Sequence, residues 1–468
     1  MSYNPVIIIP GIGQSKVILA DENGNRIKNA WPVEIDTKAV IEELKGSLMK
    51  MMLFRKDAGF SDKIAAIVHD ACQPLSLNAD GTKKNNAIPV TYGRSVAECS
   101  ENDRKFIYKM IPMESLGEKI GEDRLFYFAY DPFGDAYDTA SRLDAFVASV
   151  KEQTGSEKVD FICVSLGGVV LRAYLDLFGS KNEVRKVVNV VSALDGSSLI
   201  ADVFEDRLLL DDPASLLTSL GGKAASLASM AGMLPEEVIK NTIGKALREL
   251  KDSLIFNCTM MWGSIPVKRF DAIISNHPDM DKVLREKIVR LYDFSKNFPD
   301  AAKKLSADGM EFYQICGCGN TIFPVCLSKD VPADGIVDVT SASLGATSET
   351  ADTSPDASTC AFPENTWFFN SMSHEDAAYN DVLLSLVTDI ITDGDTGVYP
   401  RFNGTRNIRK LRYELIPEAK KAVSEGRSVT ELTKAIEDYE AILSQKVIND
   451  DNNVKELESR IKNLLDNS

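Results

Sequence analysis

The chain has 468 residues, 44% hydrophobic and 26% charged, a length and balance that support a large folded core. Its net charge of −16 argues against nucleic acid and anionic membrane surfaces as partners. MSYNP leads straight into VIII with no basic segment or cleavage site, and no apolar run is long enough to span a bilayer, so the expectation is a cytoplasmic protein without signal peptide or transmembrane segment.

The first expected strand, Val6 to Ile9, runs into Pro10-Gly11-Ile12-Gly13, a glycine-rich loop of the kind that binds ligands at a sheet edge. Residues 28–105 read as mixed helix and loop, with KAVIEELKGSLMKMMLF as an amphipathic helix and Asp80-Gly81 as a turn. LFYFAY at 125–130 reads as a buried strand. Leu143, Phe146, Val147 and Val150 follow helical spacing. Val159 to Cys163 and Val187 to Val191 are further buried strands. Apolar strands alternating with helices predict an α/β protein with a mostly parallel central sheet and helices on both faces.

The alternation stops at 198–308, where Leu, Met, Ala and Ser dominate a helical pattern. It resumes with a strand at Met310 to Cys316 and a helix over Ala377 to Ile391. An insertion at that point of an α/β unit predicts a helical cap over an apolar ligand site. From 404 on, Ser428 to Glu431 reads as a capping box, and two apolar stripes (Val429 to Val447, Val454 to Leu464) predict a helical hairpin. Its apolar stripe must bury against its own domain or a second copy, so self-association through the hairpin is one expectation.

VDFICVSLGGVVLRAYL, residues 159–175, carries the chemistry. A serine between a buried strand and a helix, with Gly167 two residues on, has the form of a nucleophile elbow. The bland alternative is a serine that caps the helix. A serine nucleophile needs a base and an orienting carboxylate. Only His69, His277 and His374 are available, and the chain order Ser, Asp, His selects His374, in the loop before the last core helix. Asp334, in an Asp-Gly turn, and Asp338, four residues on, both fit the carboxylate. The oxyanion would take the N–H groups of Leu166, after the nucleophile, and Ile12, in the first loop, where Gly11 and Gly13 let the backbone turn inward. The eight cysteines form no CxxC pair, so free thiols and no metal are expected.

Together these pieces resemble the α/β-hydrolase superfamily, and within it the branch of lecithin:cholesterol acyltransferase, phospholipid:diacylglycerol acyltransferase and lysosomal phospholipase A2. VIIIPGIGQS resembles that branch's opening strand and Pro-Gly loop, and Trp31 and LSLNADGTK fit the insert that follows. FAYDPFGD resembles its Tyr-Asp-Trp-Arg segment at Tyr130 and Asp131, departing at Pro132 and Phe133. MMWGSIP at 260–266 is similar to a segment near the end of its cap. DGIVDVTSASLG is similar to the acid motif of bacterial lipases, which implies Asp334 as the acid. Cys163 stands where the family has Gly or Ala, and Val164 where it has His.

The resemblance implies a serine hydrolase of carboxylic, lipid or acyl esters, acting through Ser165, His374 and Asp334 without a cofactor. Two alternatives stand: an O-acyltransferase that passes the acyl group to an alcohol, and a degenerate lipid-binding or interaction module. Amide and thioester substrates share the same triad. The implied organisation is a core at 1–197 and 309–403, a cap at 198–308 and a C-terminal extension at 404–468.

Overall fold

The computed structural model describes residues 3–33, 37–208, 236–323, 326–447 and 452–467. Its central sheet begins with β1 (Val6–Ile9). β2 (Val17–Ala20), β3 (Arg26–Trp31) and β4 (Ala87–Pro89) form a separate antiparallel sheet. β5 (Leu125–Tyr127), β6 (Val159–Val164), β7 (Val184–Val190) and β8 (Glu311–Cys318) return to the central sheet. β9 (Asn320–Thr321) pairs with β10 (Pro332–Ala333), and β11 (Thr366–Asn370) and β12 (Phe402–Asn403) complete the central sheet. Its seven strands run in the order β12-β11-β8-β7-β6-β1-β5, every neighbour parallel. The α/β class expected from the apolar runs is what the chain adopts.

A strand covered on both faces has no polar side to show, which is why VIII carries four apolar residues in a row. Ile7 and Ile9 face one layer and Val6 and Ile8 the other, all fully buried. Between β3 and β4 lie α1 (Thr37–Phe54) and α2 (Phe60–Cys72). Before β5 come α3 (Glu101–Met110) and α4 (Glu114–Ile120). α5 (Ala136–Thr154) starts where Asp135 accepts from the Tyr137 and Asp138 N–H groups, at 2.9 and 3.0 Å. α6 (Gly167–Phe178) follows β6 directly.

Between β7 and β8 run α7 (Glu236–Leu250), α8 (Val267–Ser275), α9 (Lys282–Lys296) and α10 (Phe298–Ala307). α7 packs on α2, while the apolar faces of α8–α10 join the Ile7–Ile9 layer: Ile273, Ile288, Leu291 and Phe298 share one core with Leu143 of α5 and Val170 of α6. The opposite layer is α3, α4 and α11 (Asp381–Ile391), through Ile107, Leu116, Leu383 and Leu386. Part of the expected cap, residues 209–235, lies outside the described residues.

The tail holds α12 (Ile416–Ser424), α13 (Val429–Ser444) and α14 (Asn452–Asp466), with a core of their own built on Leu411, Leu415, Leu432, Tyr439, Leu457 and Ile461. The expected hairpin is therefore two helices of three. Ser428 makes no capping box. It sits at φ +40°, in the left-handed region, with no side-chain cap, whereas a capping serine needs extended backbone. The tight turn from α12 to α13 imposes that conformation. No described helix is long and apolar enough to cross a membrane.

Candidate active site

β6 ends at Val164 and α6 begins at Gly167, so Ser165 must reverse the chain almost alone. It does so at φ +53°, a conformation that costs a non-glycine residue about 1–3 kcal/mol. Its backbone is held at three points: its N–H donates to Val190 O at 3.2 Å, and its carbonyl accepts from Gly168 and Ala193 N–H, both at 3.0 Å. A β-carbon at Gly167 would lie 2.5 Å from the Ile9 carbonyl oxygen, so only glycine lets α6 start this close to β1. Ser165 is no helix cap; Leu166 holds that position, without a side-chain hydrogen bond.

The three side chains singled out in the sequence come together. His374 Nε2 lies 2.9 Å from Ser165 Oγ, and His374 Nδ1 lies 2.7 Å from Asp334 Oδ2. Asp334 is 1% exposed, and its other oxygen accepts from Ile336 and Val337 N–H at 2.9 and 2.8 Å. The His374 N–H also donates to the Asp334 carbonyl at 2.9 Å. Burial pushes the imidazole pKa down, but the charge and hydrogen bond of Asp334, with Glu375 adding, outweigh it and hold the pKa above its ordinary value of 6.5. Asp338 is turned away and accepts from the Ser198 N–H and hydroxyl at 2.8 and 2.6 Å. His69 pairs with Glu249 at the surface, and His277 packs on Phe256 and Trp262, its pKa lowered by burial first. Cys163, beside the elbow, is fully buried and burial keeps its thiol protonated.

Opposite Ser165 lies the loop 10–15, and its carbonyls are anchored in turn. Pro10 O accepts from the Tyr130 hydroxyl at 2.6 Å, Gly11 O from Gln14 N–H at 3.2 Å, Ile12 O from Trp31 Nε1 at 2.8 Å and Gln14 O from the Tyr127 hydroxyl at 2.6 Å. Both tyrosines are buried, and burial raises their pKa, so they remain donors. Gln14 Oε1 takes the Gly11 N–H at 2.6 Å, while Gln14 Nε2 donates to Met110 O at 2.9 Å. Among the described residues, neither the Ile12 N–H nor the Leu166 N–H has a protein acceptor. Gly11 is required for space rather than for φ: a β-carbon there would lie 3.0 Å from Ser165 Cβ and 3.1 Å from Gln14 Oε1.

Sequence reasoning missed Gln14, since nothing in PGIGQS distinguishes a structural glutamine from a solvated one. Tyr130 and Asp131, singled out by resemblance, have separate tasks. Tyr130 anchors the loop, and Asp131, buried, pairs with Lys83 at 2.9 Å.

Ser165 opens on a cleft of about 480 Å³, within the range of small-molecule sites. Its walls are apolar: Met110 to Met113 at and beyond the end of α3, Val164, Val190 and Val191 at the sheet edge, and Ala377, Leu383 and Leu384. Lys109, Glu375 and Arg409 are its charged groups. No lining residue comes from α7–α10, which lie against the other layer or α2. Among the described residues no group of His, Cys, Asp and Glu could hold a metal ion, and all eight cysteines are free.

No family model matches the chain, and no curated protein matches it. Among solved structures, a chain from "The crystal structure of Tle4-Tli4 complex" is similar over 83% of this chain and 98% of its own, at 12% identity and a TM-score of 0.37.

Proposed function

We propose that this protein is a serine hydrolase of carboxylic esters with an apolar acyl chain. The observation that carries this reading is the hydrogen-bonded series Asp334–His374–Ser165 at the end of an apolar cleft. A degenerate module would not need these groups in register.

In this mechanism Ser165 Oγ attacks the ester carbonyl while His374 Nε2 takes its proton. Asp334 fixes the imidazole with Nδ1 protonated and stabilises the imidazolium. The Ile12 and Leu166 N–H groups receive the oxyanion. His374 then protonates the departing alcohol, leaving an acyl group on Ser165. Water, deprotonated by His374, attacks this acyl-enzyme and releases the acid and the free serine. An alcohol in place of water would complete an acyl transfer instead. The division into a core at 1–197 and 309–403, an inserted segment at 198–308 and an extension at 404–468 belongs to the same reading.

The test is labelling with a fluorophosphonate probe, native against Ser165→Ala, followed by p-nitrophenyl esters of increasing chain length. The expected result is labelling that the substitution abolishes and turnover that rises with chain length. Labelling that survives Ser165→Ala would overturn the assignment. A competing alcohol in the ester assay reads out acyl transfer.

A further inference from the structure

None of the motifs that carry the family resemblance lies in the C-terminal extension, yet its entry segment, residues 405–409, touches the loop that carries His374 at every step. Thr405 Oγ1 donates to Asn370 O, at the end of β11. Arg406 is 2% exposed and grips Asp381, the first residue of α11, through two bonds of 2.9 and 2.6 Å. The same guanidinium donates to the Gln445 carbonyl at 3.1 Å, tying this pair to the end of α13. Asn407 Nδ2 donates to Asp376 Oδ1, and Asp376 Oδ2 accepts from the Ser373 N–H at 3.3 Å, one residue before His374. Ile408 N–H donates to Tyr379 O at 3.2 Å, and the Arg409 guanidinium lies 4.7 Å over the Tyr379 ring, at the cleft wall.

We infer that residues 405–409 are a strap by which the three-helix extension positions the catalytic base, with Asn407 as the positioning residue that acts on His374 through Asp376. The inference rests on the proposed hydrolase reading. Asp334 fixes the imidazole and, with Asn320, the backbone at 372–374, while 405–409 hold the rest of the segment to Asp381. A displacement of about 1 Å at a catalytic group is enough to cost a hundredfold in rate. The extension thus belongs to the active site although it supplies no reacting atom. The charged groups that face His374 are Asp334 and Glu375 on its own side, with Lys109 and Arg409 lining the same cleft.

The experiment compares the full-length native protein with Asn407→Asp, which sets a carboxylate against Asp376, and with the double variant Asn407→Asp/Asp376→Asn, which restores donor and acceptor in reverse. The readouts are the rate of fluorophosphonate labelling across pH, and kcat and KM for a short ester. Expected for Asn407→Asp is a fall of about tenfold or more in labelling rate and kcat, with KM unchanged. The pH midpoint should also shift, lowered as the hold of Asp334 on His374 loosens and raised by the added carboxylate. The double variant should recover both. A loss of stability alone would lower the active fraction without moving the midpoint. An unchanged rate and midpoint in Asn407→Asp, or a loss that the double variant does not rescue, would overturn the strap while leaving the hydrolase reading intact. A native protein that fails to label would remove both.

Discussion

The two loops that meet at Ser165 are secured by opposite means. In residues 10–15 the backbone itself is anchored: four carbonyls are taken by Tyr130, Gln14, Trp31 and Tyr127, and the Ile12 N–H is left over. In residues 371–381 the anchors are mostly side chains, reaching in from Asp334 on one side and from 405–409 on the other. The difference follows from the work each would do. Donors for a developing charge are most useful when they cannot reorient, so fixing their peptide planes is the direct solution. A base that takes and returns a proton must tolerate two charge states, which a carboxylate partner provides better than a rigid backbone.

The largest expected effects fall on the base side. Ser165→Ala or His374→Ala should lower ester turnover by about 10⁴ or more, read as kcat/KM against p-nitrophenyl esters. Asp334→Asn should cost about 10⁴, because the imidazole loses the tautomer that leaves Nε2 free to accept. A pH profile separates its two roles. His374 must be neutral to act, and its raised pKa places the rise in native activity above pH 6.5. Residual activity in Asp334→Asn should rise at lower pH than in the native protein. An unmoved midpoint would mean that Asp334 is not the charge felt by His374.

On the donor side the losses should be smaller. Gly11→Ala would press a methyl against Ser165 Cβ and Gln14 Oε1 and disturb the Ile12 N–H, at about 10²–10³ in kcat. Unchanged kcat there would break the comparison, because it would show that the loop can move without consequence. Tyr130→Phe leaves the buried Pro10 carbonyl without its donor, and urea unfolding should show a loss of about 1–3 kcal/mol. The smallest effect concerns Ser165 alone. Ser165→Gly should be about 1 kcal/mol more stable than Ser165→Ala, since glycine accepts φ +53° without strain. Equal melting temperatures would show that the elbow stores nothing.

What was legible in the sequence was whatever a local pattern must encode. β1 and β6 announce themselves because strands buried on both faces need unbroken apolar runs. Ser165 is visible because its turn needs Gly167, and His374 because only three histidines exist. Asp334 over Asp338 was settled by resemblance; in space the two carboxylates part, one to His374 and one to Ser198. β2 and β3 were missed, since RIKNAW is mostly exposed and carries no clean alternation. α12 was missed; a π-helical turn, Leu411–Leu415, runs straight into it and Pro417 falls at that junction, a wider turn that apolar spacing does not reveal. Helical spacing predicts that residues 236–307 form helices but not which layer they cover. The strap at 405–409 has no sequence signature, because each contact joins residues remote in the chain.

The sheet has one further property that follows from its edges. Its outermost strands are also its shortest: β5 spans Leu125–Tyr127 and β12 only Phe402–Asn403. A strand added from another molecule would find a row of two or three residues to pair with, too few to hold it. The central sheet is therefore guarded against edge-to-edge pairing by brevity, which leaves β3, six residues at the edge of the antiparallel sheet, as the longest strand edge among the described residues.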